Sequence, residues 1–153
     1  MSLPSTIGDV LAFRAARDPE ATAILSSGLE PLSFGDLVRR IDEIGAQLRA
    51  AGIGPASRVG IGLQRGPEAA LLSVAVCCSA TLLPLNPNLS TGDLEAELKR
   101  VRLDALIVAG DAPVPEWASA AGGSFGLFKA SRAVSSFEEI GLEQVQPVQI
   151  GRA

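Results

Sequence analysis

Arg58-Val59-Gly60-Ile61-Gly62-Leu63, then the helix-length stretch over residues 67–78, then Thr81-Leu82-Leu83-Pro84-Leu85, decide the fold class. Two short apolar runs enclose a segment long enough for a helix. Pro67 suits the first helical position, where its missing N–H would have no partner in any case. The alternation continues with a helix over residues 93–102 and a strand over residues 105–108. Strands alternating with helices of this size form βαβ crossovers, so the expected fold is α/β, a parallel sheet with helices on both faces.

Toward the N-terminus the helix starts are marked by a Ser or Thr followed three residues later by an acid. The pairs are Thr6/Asp9, Ser33/Asp36, Ser90/Asp93 and Ser136/Glu139. Each hydroxyl can accept a backbone N–H that the first helical turn leaves free. The first opens a helix carrying Val10, Leu11 and Phe13 that stops before Pro19. The second opens an amphipathic helix in which Leu37, Ile41, Ile44 and Leu48 share a face, with Arg39, Arg40, Asp42 and Glu43 expected to point to solvent. Gly52 suits the left-handed position that closes it. Between the two helices, Thr22-Ala23-Ile24-Leu25 and Pro31-Leu32-Ser33 flank Ser27-Gly28 and read as a short N-terminal β-hairpin. Toward the C-terminus, Pro113 and Pro115 mark a turn, residues 116–121 suit one or two helical turns, and residues 124–130 suit a further strand. Residues 143–153 read as a linker, and residues 1–153 as one subdomain.

The composition agrees with a packed domain: 153 residues, 47% hydrophobic against 20% charged. The net charge is −4 and the 13 Lys and Arg residues are scattered, which argues against nucleic acid as a partner. With no His and no Tyr, the chain by itself cannot assemble a Ser-His-Asp triad, a Cys-His pair or a His-ligated metal. Cys77 and Cys78 are adjacent in an apolar run, a spacing that fits neither a disulfide framework nor a C-x-x-C motif. They are expected to be buried free thiols in a reducing cytoplasm. The N-terminus lacks the basic and apolar stretches of a signal peptide. The uncharged run over residues 69–85 is shorter than the ~20 residues that span a bilayer. It reads instead as a buried helix leading into a buried strand, and Asn88-Leu89-Ser90 as an accidental glycosylation match.

Gly60-Ile61-Gly62-Leu63-Gln64-Arg65-Gly66 is the nearest approach to a phosphate-binding loop. The dinucleotide fingerprint places its third glycine where Arg65 stands, and places its glycines after the strand instead of within it. Strand glycines permitting close helix packing are the simpler account, and no Gly-Lys-Ser/Thr sequence exists for a Walker A loop. Glu95/Glu97 and Glu138/Glu139 are acid pairs on segments where acids ordinarily face water, and Trp117 is read as cover for a small apolar cluster.

Two stretches carry a family resemblance. One is Leu32-Ser33-Phe34-Gly35-Asp36-Leu37, followed by the amphipathic helix, Gly52-Ile53-Gly54 and Val59-Gly60-Ile61; the other is Ser79-Ala80-Thr81-Leu82-Leu83-Pro84-Leu85-Asn86-Pro87, then Leu89 and Asp93-Leu94. In this order, over residues 6–108, they resemble the opening part of the adenylate-forming superfamily, the acyl-CoA synthetases and fatty-acid-CoA ligases with their AMP-binding relatives. Phe34 stands for the family's Tyr, Ser79 for its Gly, and Pro55-Ala56-Ser57-Arg58 for its usual Gly-Asp. Asn86-Pro87 resembles a CoA ligase more than a peptide-synthetase adenylation domain, which more often has Asp there.

The resemblance implies a partial fold, the N-terminal piece of a larger ATP- and magnesium-dependent enzyme that makes an acyl-adenylate and passes the acyl group to CoA. The family's Ser/Thr/Gly-rich loop ending in Pro-Lys is absent, so no catalytic, cofactor-binding or metal residue is expected here, and the chain alone is expected to be inactive and to bind no cofactor. The implied partners are the remainder of the same polypeptide and, for the parent enzyme, a small-molecule carboxylate. The apolar face that such a piece leaves uncovered could pair two copies as a homodimer without biological meaning. Two alternatives stay open: a stand-alone flavodoxin-like nucleotide-binding domain, and a protein-interaction module.

Overall fold

The computed structural model describes residues 3–114, 116, 118 and 125–145. Trp117 and residues 119–121, 124 and 146–153 lie outside the described residues. The elements run α1 (Ile7–Arg17), β1 (Thr22–Ile24), β2 (Leu32–Ser33), α2 (Phe34–Ala50), β3 (Arg58–Ile61), α3 (Pro67–Ser79), β4 (Thr81–Pro84), α4 (Thr91–Arg100), β5 (Ala105–Ala109), β6 (Gly126–Ala130) and β7 (Leu142–Val145).

The caps form as the sequence predicts. Thr6 and Asp9 make a reciprocal box at α1, and the Ser33 and Ser90 hydroxyls accept the N–H of Asp36 and Asp93. Because Ser90 is the cap, α4 begins at Thr91, two residues before the expected start, and it ends at Arg100 because Val101 is already extended. Ser136/Glu139 also close a box, but only over a 3-10 turn (Phe137–Glu139), since Ile140 is extended and fully buried in the core. Gly52 closes α2 at φ 83°, and Gly28 turns the β1–β2 hairpin at φ 80°. Both angles carry a steric cost for any residue with a Cβ.

The large sheet has the order β4-β3-β5-β6-β7, with β3, β4, β5 and β6 parallel as expected. β7 is antiparallel to β6. The reason is loop length: a parallel return needs a crossover of a dozen or more residues, and the short link from Ala130 to Leu142 contains only a single 3-10 turn. β7 includes Glu143, Gln144 and Val145, the first residues of the stretch read as a linker.

Side chains alternate between two apolar layers. Val59, Ile61, Ala105, Ile107 and Phe128 face α2 and α3 on one side of the sheet; Leu106, Val108 and Leu127 face Leu94 and Leu98 of α4 on the other. At Gly60 a Cβ would lie 3.1 Å from Leu103, 3.2 Å from Leu106 and 3.3 Å from Leu85, so the glycine admits these three leucines to the sheet surface.

Three expectations are corrected. β4 pairs only with β3, so it is an edge strand and is half-exposed instead of buried. Cys77 is exposed because it follows Val76 and is turned off the face through which α3 packs, Leu71, Leu72, Ala75 and Val76; Cys78 continues the Leu71–Ala75 row and packs against the core, but at the end of the helix it is only half-buried. Arg40 is not in solvent. It is 8% exposed, because it stands three residues after Leu37 and four before Ile44, on the margin of the buried stripe.

Candidate functional site

The chain runs from β3 outward to β4, then returns past β3 to β5 and continues to β6. The connections therefore diverge between β3 and β5, and in open parallel sheets ligand clefts form outside the carboxyl ends of the strands at such a point. A cleft of about 500 Å³ lies there. Its sides come from the loop after β3 (Leu63 to Gly66), the ends of β5 and β6 (Ala109, Ala130), the segment Arg132-Ala133-Val134, and the hairpin residues Ser26, Ser27 and Leu29.

One wall is held rigidly. The Glu139 carboxylate accepts the backbone N–H groups of Val134 (2.8 Å), Ser135 (3.1 Å) and Ser136 (3.1 Å) and the Ser135 hydroxyl (2.6 Å). These bonds, the Ser135 hydroxyl foremost, hold its pKa below the usual glutamate value. Ser131 Oγ donates to the Glu139 carbonyl at 2.7 Å and accepts the Gly141 N–H at 2.8 Å. Three other elements tie into the same loop. The Glu30 N–H donates to the Ser135 carbonyl (3.0 Å), the Ala133 N–H donates to Glu68 Oε1 on α3 (2.7 Å), and Arg40 on α2 donates to the Ile140 carbonyl.

Arg65 and Arg132 face this cleft, and so do Glu68 and Asp111. Asp111 lies 3.7 Å from Arg132, with both side chains largely in solvent. Two cationic and two anionic side chains thus line the cleft, and their formal charges cancel. The Ser135 hydroxyl lies against the Glu139 carboxylate, but that carboxylate is also taken up by three backbone N–H groups of its own loop, and among the described residues no group of three His, Cys, Asp or Glu side chains is placed to hold a metal ion.

The positions singled out from the sequence are scattered. Gly60 serves packing in β3, and the Gly62 N–H donates to the Ile107 carbonyl, extending the β3–β5 ladder; of the three glycines Gly66 alone lines the cleft, beside Leu63, Gln64 and Arg65. Glu95 and Glu97 lie on α4, beneath the opposite face of the sheet. Glu138 pairs with Arg39, and Glu139 is spent on its loop. Glu68 and Arg132 had no sequence signal, because their convergence depends on contacts between elements 65 residues apart in sequence.

Residues 11–146 match the family of AMP-binding enzymes. The chain belongs to that family. A linear gramicidin synthase polypeptide of Brevibacillus parabrevis is 29% identical over 103 residues, a segment covering 67% of this chain and 2% of that protein. A putative long-chain-fatty-acid CoA ligase from Rhodopseudomonas palustris superposes with a TM-score of 0.71 at 23% identity, covering 88% of this chain and 35% of that one. The Klebsiella oxytoca NpsA N-terminal subdomain, in complex with anthranilyl-AMSN, superposes with a TM-score of 0.66 at 20% identity, covering 80% and 30%. This AMP-binding chain thus spans about a third of the length of those solved chains, and at such identities the likeness establishes the shared fold. Among the described residues, no helix of the AMP-binding chain is long and apolar enough to cross a membrane.

Proposed function

We propose that this chain is the N-terminal structural portion of an ATP-dependent acyl-CoA synthetase, an enzyme that converts a carboxylate and ATP to an acyl-adenylate and then to acyl-CoA. In this reading ATP, magnesium and CoA are bound by the full-length enzyme, not by residues 1–153. The sheet is scaffold: β3 to β6 and their helices form a wall, and no residue here is catalytic. The observation that carries the CoA-ligase reading is Asn86-Pro87, at the exit of β4. The Asn86 carboxamide accepts the Asn88 N–H at 3.0 Å, and Asn88 in turn accepts from Gln64 at 3.2 Å, so this turn locks the ends of β3 and β4 together. The likeness to a fatty-acid CoA ligase supports the same reading. The parent's partners are a small-molecule carboxylate and the rest of its own polypeptide, and its compartment is the reducing cytoplasm, a reading supported by two free cysteines.

The 29% identity to the gramicidin synthase favours a second reading, in which the parent enzyme belongs with such synthases and not with CoA ligases. Carboxylate-dependent exchange of pyrophosphate into ATP tests the scaffold reading directly. The purified chain is expected to show none above a blank for fatty, aryl or amino acids, and exchange with any of them overturns the assignment. Reading the coding DNA beyond the Ala153 codon separates the readings further. The proposal requires a Ser/Thr/Gly-rich segment ending in Pro-Lys in the same frame, and an immediate stop codon would defeat it.

A further inference from the structure

We draw no further inference here: the strongest candidate, the exposed apolar stripe of Ile7, Val10 and Phe13 on the outer side of α1, carries nothing because nothing in the structure shows what covers it.

Discussion

Arg39 and Arg40 are neighbours on α2, and counting their ion pairs gives the wrong order of importance. Arg39 meets three carboxylates, Asp36, Glu43 and Glu138, but its side chain is 44% exposed. Arg40 meets Glu43 closely and Glu138 only at 3.9 Å, yet it is buried and its guanidinium donates to the carbonyl of Ile140, a residue with no exposed surface. Arg40→Met keeps most of the apolar stem and removes the fork. It leaves the Ile140 carbonyl buried without that donor, a loss of about 1.5–3 kcal/mol for a charge-assisted bond. Part of this is offset because Arg40 Nε is itself buried without a hydrogen-bond partner. The expected net cost is about 2 kcal/mol, or roughly 4–8 °C in Tm for a chain of this size. Arg39→Ala, which breaks three solvent-screened pairs, is expected to cost about 0–1 kcal/mol and to lose even that at high salt. Arg40→Lys should fall between, since one ammonium cannot reproduce the two-sided fork. Urea unfolding followed by far-UV circular dichroism, at low and high salt, measures all three. If Arg39→Ala costs as much as Arg40→Met, burial is not what sets the value of these contacts and the reasoning fails.

Further outcomes follow from the same packing. Gly45→Ala on α2 sets its new Cβ 2.9 Å from Ser79 Oγ on α3, which opposes the ~1 kcal/mol that alanine ordinarily gains over glycine in a helix. In a Ser79→Ala background the substitution should therefore be about 1 kcal/mol more favourable than in the unaltered chain, and a coupling near zero in the double-mutant cycle contradicts the contact. Gly60→Ala must displace three leucine methyl groups and is expected to cost about 1–3 kcal/mol in denaturant unfolding; an unchanged midpoint would show that the leucines need no such space. The lowered pKa of Glu139 means that its contribution is fully present above the ordinary value of 4.5 and is lost as pH falls through the lower folded value. Glu139→Gln should therefore flatten the fall in stability below pH 4.5, whereas parallel pH curves for the two proteins would refute the role of the carboxylate.

The local devices were legible because each acts within a few residues. A hydroxyl three positions before an acid specifies a cap wherever the chain goes, so Thr6, Ser33 and Ser90 could be placed without tertiary information. Gly28 and Gly52 were readable for the same reason, as turn positions with positive φ. The apolar runs at β3, β4 and β5 read as strands because they alternate with helices, and the stretches around Ser33-Phe34 and Asn86-Pro87 carried the family. The cleft was not legible: its walls come from four separate stretches of chain, and only one of them, Leu63 to Glu68, overlaps a stretch singled out in the sequence for phosphate binding.

Sequence alone thus determined the helix starts, the α/β class and the family, all properties of short-range pattern. Tertiary structure decided strand order, and with it which strand is an edge. That placement leaves Leu82 and Leu83 of β4 only partly buried, with Thr81 and Pro84 exposed. It also decided that Arg40 is buried while Arg39 is not, since a helical period places a residue at the margin of a stripe but only the neighbouring Ile140 segment determines whether that margin is covered.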